Sequence, residues 1–301
     1  MLMNQAVVFT KPLHHLGIGL TPEDLDASTR AYFEAKGFDF VLAKKVTGSE
    51  LAARDVIRQH YLMYSQAALA EHLELSDSGR EKFKAAFGKS WDDEVGAGRI
   101  LPLNDLLERK GIDVHQLFDV WNGLFGAGKT AKIQDGMIMA YSEDLDAYLV
   151  NAFYPAMQAN FYHPDTVMYY YVLEFDPSKT SWLDFRKTVL GATNSAKADP
   201  ASFRGKLYAE YPVEFPGRDN FVHGSAGPFE GFVERAIHES GFYMESNPVG
   251  RYLAKRGLTL ESFAAWKNAQ SINAIGALFD ETEERDTDEV LSILDNTSFK
   301  L

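Results

Sequence analysis

The sequence contains no cysteine among its 301 residues, which excludes disulfide frameworks, thiolate metal sites and cysteine nucleophiles. It also contains no apolar run close to the roughly 18 residues that a membrane-spanning helix needs. Its first residues, MLMNQAVVFTKPL, lack the charged start and the long apolar stretch of a secretory signal. We therefore expect a cytoplasmic protein that has no membrane partner.

Basic residues are scarce compared with acidic ones: 30 Lys and Arg stand against 43 Asp and Glu, which gives a formal charge of −13. This balance argues against a nucleic-acid partner, because such proteins neutralise phosphates with Lys and Arg. It leaves room for a single nucleotide, since a few clustered basic side chains are enough to bind one. Much of the acid lies in DETEERDTDE, residues 280–289, which we expect to be a solvated face or a mobile tail.

The pattern of apolar residues predicts an α+β protein. We predict four strands, at residues 5–10, 38–47, 166–175 and 206–215. The third is the clearest, because β-branched and aromatic residues dominate it. A helix begins after Thr21, where Pro22 suits the first helical position. Residues 133–154 are typical of a β-hairpin, and at least two helices are expected after residue 240.

The segment GLFGAGKT, residues 123–130, matches the sequence pattern of the phosphate-binding loop of P-loop NTPases. In that loop a strand comes before the glycines, and a helix whose N-terminal amides face the phosphates comes after them. Here FDVWNGLF before the glycines indicates a helix, and AKIQDGMIMAY after them indicates a strand. We therefore interpret the segment as a flexible connection and keep a P-loop NTPase as an alternative hypothesis.

The stretch DNFVHGSAGPFEGFVERAIHE, residues 219–239, places His223 in a turn just before a helix that begins at Pro228. Glu234 follows eleven residues later, in the second turn of that helix and within reach of the histidine. A carboxylate that holds one ring nitrogen fixes the tautomer and leaves the other nitrogen for chemistry. Ser225 is placed to bond either Glu234 or a ligand. From these residues alone, the alternative is a helix-capping turn in which the histidine is incidental.

Basic and hydroxyl side chains occur in several other segments of the chain. Lys11 lies near its start, Arg186 and Lys187 lie further along, and LGATNSAKADPASFRGKL, residues 190–207, adds Thr193 and Arg204. An acidic protein that gathers such groups has the elements of a phosphate-binding site. The spacing of histidines and carboxylates does not match a zinc site, so we predict no metal-binding residues.

The segments FTKP, FEAKGFDFVLAKK, HY, LGATN, SFRG and NFVHGS, followed by Glu234, together resemble the nucleoside diphosphate kinase family. Their order and approximate spacing agree with that family over about half of the chain. The resemblance implies a ferredoxin-like βαββαβ core with an antiparallel sheet. The predicted organisation is a core, a mainly helical insertion and a helical C-terminal extension with the acidic segment, at residues 1–64 with 148–240, 65–147 and 241–301, respectively.

The resemblance implies phosphoryl transfer through a phosphohistidine. ATP or another nucleoside triphosphate, with Mg²⁺ on its β- and γ-phosphates, would phosphorylate His223, and a nucleoside diphosphate would then accept the phosphate. The family pattern makes Glu234 the orienting partner and places Tyr61 nearby; with Ser225, these are the predicted catalytic residues. The implied nucleotide contacts are Lys11 and Asn220 at the sugar and phosphates, Thr193 and Arg204 on the phosphates, Arg186 or Lys187 in place of a phosphate-binding arginine, and Phe153 stacked on the base.

Four departures from the family pattern lie on the substrate side. Leu13 and Lys206 each replace an acid, Lys187 stands where an arginine is usual, and the large insertion emerges next to the base-binding part. Lysine offers a point charge instead of the planar fork of arginine. These departures keep two alternatives open: a specialised kinase of the same fold that phosphorylates a different small-molecule acceptor, and a non-catalytic nucleotide-binding module. The formation of a homo-oligomer is compatible with each of these functions.

Overall fold

The computed structural model describes residues 2–270 and 272–299, and the chain divides into two compact units. The first unit combines Met1–Val56 with Phe161–Leu301, and the second is Ile57–Asn160. The predicted insertion, residues 65–147, therefore lies inside the second unit. The predicted C-terminal extension, residues 241–301, belongs to the first unit together with the predicted site histidine.

The described residues contain seven β-strands and sixteen α-helices. The strands are β1 (Asn4–Thr10), β2 (Asp39–Thr47), β3 (Thr130–Gln134), β4 (Met137–Ser142), β5 (Ala147–Val150), β6 (Val167–Phe175) and β7 (Val222–Gly224). The helices are α1 (Pro22–Ala35), α2 (Gly48–Ala53), α3 (Val56–His60), α4 (Leu62–Ala68), α5 (Asp77–Phe87), α6 (Trp91–Gly96), α7 (Leu103–Lys110), α8 (Val114–Gly126), α9 (Phe153–Tyr162), α10 (Trp182–Asp184), α11 (Phe203–Glu210), α12 (Pro228–His238), α13 (Pro248–Lys255), α14 (Leu260–Ala269), α15 (Ile272–Thr282) and α16 (Thr287–Leu294). A π-helical turn, Phe185–Leu190, continues α10. Among the described residues, no helix is long and apolar enough to cross a membrane.

The first unit is built on a four-stranded sheet in the order β2-β6-β1-β7, in which every pairing is antiparallel. All seven residues of β1 are buried, as expected for an inner strand. Helices α1 and α12 both pack against β1. Leu13, which departs from the family pattern, is buried in the apolar core of this unit, so the position requires an apolar side chain. The predicted α+β class with an antiparallel sheet is confirmed.

One predicted strand, at residues 206–215, is wrong. The Ser202 hydroxyl caps α11, which occupies the start of this segment, and Phe203 and Leu207 are buried on one face of that helix. The fourth strand of the sheet is instead β7, which pairs with β1 and contains His223. The prediction that His223 lies in a turn is therefore wrong, because the histidine lies in a short strand that pairs with β1.

The second unit contains a three-stranded antiparallel sheet in the order β3-β4-β5. Strands β4 and β5 form the hairpin that the sequence predicts within residues 133–154, and the chain turns into α9 at Phe153, earlier than expected. Helices α5 and α6 contribute Phe83 and Trp91 to an apolar cluster that also contains Tyr148 of β5. This sheet and the helices on it give the second unit its own core.

The segment that matches the P-loop pattern does not form a P-loop. Helix α8 ends at Gly126 before the last glycine and lysine, and β3 begins at Thr130. The helix therefore precedes the glycine-rich connection and the strand follows it, as the sequence predicts, and this order is the reverse of a phosphate-binding loop.

The acidic segment near the C-terminus is bonded to other parts of the first unit, so the alternative of a mobile tail is wrong, whereas its residues Asp280, Glu281, Asp288 and Glu289 are exposed, as the alternative of a solvated face predicts. Asp286 Oδ1 accepts hydrogen bonds from Asn4 Nδ2 and from the backbone N–H of Trp182, each at 2.7 Å. The backbone N–H of Thr287 donates to Asn4 Oδ1 at 2.9 Å. These bonds attach the start of α16 to β1, because the acid has specific polar partners far away in the sequence.

Close packing between the C-terminal segment and the turn before α12 can be tested at Gly227. A β-carbon at Gly227 would lie 2.5 Å from the backbone oxygen of Thr282. We expect Gly227→Ala to lower the free energy of unfolding by about 1–3 kcal/mol, because backbone on one side must move. Urea denaturation measures this change. Gly217→Ala is the matched control, since no described atom lies within 4 Å of its β-carbon position. Equal midpoints for the two variants would contradict the prediction.

Candidate active site

His223 lies in the middle of β7, directly opposite Phe9 of β1. Its ring stacks on the Phe9 ring, with the centroids 4.5 Å apart and the planes at 18°. Just before it, Phe221 has a φ of +63°, and Val222 N donates to Asn220 O at 2.7 Å. A left-handed φ at a bulky residue is strained and persists only where the surrounding structure holds it. This strained turn fixes the direction in which the chain enters β7.

Glu234 connects His223 to the sheet through a chain of hydrogen bonds. Glu234 Oε1 lies 2.6 Å from His223 Nε2, and Glu234 Oε2 accepts a bond from Ser225 Oγ at 2.6 Å. The same hydroxyl accepts a bond from the backbone N–H of Val7 at 2.9 Å. Of the two partners that the sequence leaves open for Ser225, the structure contains Glu234. A carboxylate that accepts bonds at both oxygens is fixed in orientation and can therefore orient the imidazole.

The imidazole of His223 is in its neutral form. Because a carboxylate accepts hydrogen bonds, Nε2 carries the ring proton and the lone pair is on Nδ1. Burial, followed by the positive charges of Lys11, Arg204 and Arg186, lowers the pKa of His223 well below its usual 6.5. A neutral imidazole with one defined tautomer has the electron pair that a nucleophile needs at neutral pH.

Lys11 is a buried basic residue just after β1. Its backbone N–H donates to Phe221 O at 2.7 Å, in the strained turn, and its Nζ donates to Arg218 O at 3.1 Å. Burial, followed by the charge of Arg204, lowers the pKa of Lys11 to about 7, and Asp219 opposes this change. Phosphate oxygens nearby would favour the charged form of such a lysine, because opposite charges stabilise each other.

Arg204 is a second buried basic residue, and its guanidinium bonds backbone carbonyls. Nη2 and Nε donate to Val222 O at 2.7 and 3.2 Å, and Nη1 donates to Gly191 O at 2.7 Å. Arg204 therefore links the loop that starts at Gly191 to the residue before His223. Thr193 lies in that loop and is exposed. The phosphate contacts predicted for Arg204 and Thr193 stay predictions, whereas the positive charge of Arg204 already acts on His223.

The basic pair Arg186–Lys187 is joined to the acidic segment. Arg186 Nη1 forms an ion pair with Glu283, and Lys187 Nζ lies 3.2 Å from Glu284 Oε2. Arg186 is the less exposed of the two bases, at 28 % of its side chain against 62 % for Lys187. Its charge is also among those that lower the pKa of His223. Both bases thus have acidic partners that the sequence alone did not predict.

Asn220 is buried, and its side-chain Oδ1 has no hydrogen-bond partner among the described residues. Its Nδ2 donates to Gly217 O at 3.3 Å. A buried acceptor without a donor is unfavourable, so this oxygen is suited to a hydroxyl group of a ligand. Next to it, Arg218 makes two hydrogen bonds of 2.7 Å to Asp219. The sequence pattern did not indicate this pair, although both residues stand directly before Asn220.

Two predicted site residues, Tyr61 and Phe153, belong to the second unit. The Tyr61 ring meets the His60 ring edge-on, with centroids 4.4 Å apart. The Phe153 ring contacts Tyr64 and Trp121 within the apolar core of the second unit, at centroid distances of 5.4 and 5.9 Å. The predicted positions of Tyr61 near the histidine and of Phe153 against a nucleotide base stay predictions.

Glu230 is an acidic residue of the site that the sequence analysis missed. It lies one helical turn before Glu234, and its carboxyl group accepts a hydrogen bond from the backbone N–H of Ala226. Burial, followed by the charge of Glu234, raises the pKa of Glu230 to about 8. The sequence contains a signal for Glu230, because residues four apart on a helix, such as Glu230 and Glu234, share a face. Phe9 was missed as well, although strand alternation places it on the same face as Lys11.

Comparison with known proteins gives a structural likeness only. No protein-family model matches the chain, and none of the curated proteins matches it. Three similar solved structures each cover 80 % of this chain: nucleoside diphosphate kinase of Aquifex aeolicus in an orthorhombic crystal form (11 % identity, 97 % of that chain, TM-score 0.39), the Borrelia burgdorferi enzyme as a transition-state mimic with vanadate and ADP (13 %, 89 %, 0.34), and an NDP kinase from Pyrobaculum aerophilum (14 %, 97 %, 0.35). At these values the likeness carries no functional argument.

The lowered pKa of Lys11 predicts a pH dependence of stability. Between pH about 7 and 10.5 the unfolded chain keeps a proton on Lys11 that the folded protein has lost, so this contribution to the free energy of unfolding rises with pH. Its slope is at most about 1.4 kcal/mol per pH unit. We expect Lys11→Met to remove this rise in urea denaturation at pH 7, 8 and 9. Lys206→Met, at an exposed lysine, is the control. Parallel pH curves for Lys11→Met and the unchanged protein would refute the prediction.

Proposed function

We propose that this protein is a nucleoside-triphosphate-dependent phosphotransferase that carries the γ-phosphate on His223. The observation that carries the proposal is the 2.6 Å contact between His223 Nε2 and Glu234. The imidazole is neutral, and the positive charges of Lys11, Arg204 and Arg186 act on it. An oriented nucleophile in a cationic setting is what phosphoryl transfer requires, because positioning and charge stabilisation supply most of its catalysis.

The order of elements supports the ferredoxin-like core that the sequence resemblance implies. Strand β1, helix α1 and strand β2 come first, and β6, α10 with its π-helical turn, and β7 come later. The sheet order β2-β6-β1-β7 places β1 and β6 in the middle. These features agree with a βαββαβ arrangement in which the second unit is inserted between β2 and β6. The proposed nucleophile then lies on an edge strand.

In the first half-reaction, the Nδ1 lone pair of His223 attacks the γ-phosphorus of the nucleoside triphosphate. The new P–N bond forms as the bond from the γ-phosphorus to the bridging oxygen breaks, and the nucleoside diphosphate leaves with that oxygen. The ring becomes positively charged, and the carboxylate of Glu234 at Nε2 stabilises this charge. Lys11 and Arg204 supply positive charge for the phosphate oxygens.

In the second half-reaction, an oxygen of the acceptor attacks the phosphorus and the P–N bond breaks, which returns His223 to its neutral form. A nucleoside diphosphate is the acceptor that the proposal favours. Asn220 Oδ1, buried and without a described partner, is suited to accept a hydrogen bond from a sugar hydroxyl. A different small-molecule acceptor would use the same nucleophile.

The residues of the candidate site are compatible with a Mg²⁺ ion that is bound to the phosphates of the substrate. Both oxygens of Glu234 already accept hydrogen bonds, and the other charged groups that act on His223, namely Lys11, Arg204 and Arg186, are cations. The β- and γ-phosphates and water would therefore hold the ion, which suits the coordination that Mg²⁺ prefers. When bound, it neutralises part of the phosphate charge.

The proposal is tested by incubating the protein with ATP labelled at the γ-phosphate. We expect a protein-bound label that is stable in base and lost in acid, and that is absent in His223→Gln. Glu234→Gln should slow labelling by about 100-fold or more, because the imidazole loses its orienting carboxylate. Lys129→Ala, in the segment that matches the P-loop pattern, is the control and should label normally. Full labelling of His223→Gln, or its loss in Lys129→Ala, would exclude the mechanism.

A chase of the labelled protein separates the remaining alternatives. Rapid discharge by nucleoside diphosphates supports the proposed reaction. Slow discharge by diphosphates, with rapid discharge by another small molecule, identifies a specialised kinase. Binding of ATP without any label identifies a non-catalytic nucleotide-binding module.

A further inference from the structure

An acidic turn, Thr282–Glu284, lies against the basic pair Arg186–Lys187. Glu283 pairs with Arg186, and Glu284 lies 3.2 Å from Lys187. The backbone of the turn is held as well, because Glu284 N donates to the carbonyl of Ala226 at 2.9 Å. Glu284 has a φ of +58°, a strained conformation for a residue other than glycine. Both acids are therefore fixed opposite the two bases.

Both partners of this contact lie close to His223. The π-helical turn that carries the bases places a methyl carbon of Leu190 2.6 Å from the β-carbon position of Gly224, the residue after the histidine. The acidic turn bonds Ala226, three residues after the histidine, as described above. The positive charge of Arg186 reaches the imidazole, since it contributes to the lowered pKa of His223.

Negative charge opposes the bases on this side of the site. This charge comes from Glu283 and Glu284, since burial, followed by the charge of Glu234, raises the pKa of the nearby Glu230 to about 8 and leaves that carboxyl group mostly uncharged at neutral pH; Arg186 opposes this rise and Glu283 adds to it. Glu283 is therefore close enough to act on the acidic face of α12 as well as on Arg186. A phosphate that approached from this side would meet carboxylates that already hold the bases.

We infer that Glu283 and Glu284 are specificity-determining residues that limit the negative charge a ligand can bring to the site. The inference rests on the proposed function, because it concerns phosphate ligands. Each acid is bound to a base that a phosphate would otherwise contact, so the ligand must compete with it. Repulsion grows with each added phosphate. The two acids therefore lower the affinity of the site for each phosphate ligand by a factor that grows with the number of phosphates.

The test is a charge series of ligands. We would measure the affinities of AMP, ADP and ATP by titration calorimetry for the unchanged protein and for Glu283→Gln/Glu284→Gln. We expect the double variant to bind ATP about tenfold more tightly, with a smaller gain for ADP and about twofold for AMP. The gains should shrink at high salt, because salt screens partly exposed charges.

Asp280→Asn/Glu281→Gln is the matched control. It removes the same two charges from the same C-terminal segment, at exposed residues just before the acidic turn. We expect it to change each affinity by less than about twofold, since its charges are more strongly screened. An equal gain in the control would mean that net charge, and not the two ion pairs, sets the affinity, and would overturn the inference.

A second variant guards against loss of the fold. Glu284→Gln alone releases only the more exposed pair, and we expect about threefold tighter binding of ATP, with thermal unfolding as the check. Unchanged or ungraded affinities with normal labelling of His223 would overturn the inference and leave the phosphotransferase proposal intact. Gains in affinity that grow with the number of phosphates, without labelling of His223, would support the inference and overturn the phosphotransferase proposal. Absence of binding in every protein would overturn both.

Discussion

The hydrogen bond between Glu234 and the His223 ring is the interaction on which the candidate site depends. This hydrogen bond sets the tautomer of the imidazole. Further hydrogen bonds connect Glu234 through Ser225 to the backbone of Val7, so the ring is anchored to the sheet and not to a loop. The stacked Phe9 ring supports the same imidazole from the other strand. The proposed nucleophile, held in this way, would need little rearrangement before it reacts, which is the condition for efficient transfer to or from a bound phosphate.

Charge is distributed very unevenly in this protein. The chain carries a formal charge of −13, yet Lys11 and Arg204 are buried beside the histidine. Both are held by main-chain carbonyls, from Arg218 in one case and from Val222 and Gly191 in the other. Carbonyl dipoles satisfy the donors of both side chains without cancelling their charge, although Asp219 also acts on Lys11, whose pKa is lowered to about 7. Arg186 differs, because a carboxylate pairs with it directly.

The sequence predicts the parts of the structure that depend on local patterns. Strands β1, β2 and β6 have strong apolar or aromatic runs, and the eleven-residue spacing from His223 to Glu234 is enough to bring the two side chains together. The strand predicted at residues 206–215 is wrong because Tyr, Val and Phe favour strands locally, whereas a capping serine and a buried helical face decide the outcome. The docking of Asp286 is missed for another reason: its partner Asn4 lies almost the whole chain away. The main-chain carbonyls that bind the side chains of lysine and arginine cannot be identified from a sequence.

The pairing of β1 with β7 has a consequence for how the molecule is made. Val7 and Ser225, which share a hydrogen bond, are 218 positions apart, and one strand lies near the beginning of the chain while the other follows the whole second unit. On the ribosome, the first strand is synthesised long before its neighbour exists. The candidate site thus closes only after the whole second unit has been synthesised, and translation products that stop before β7 would lack it even if their other helices and strands had folded.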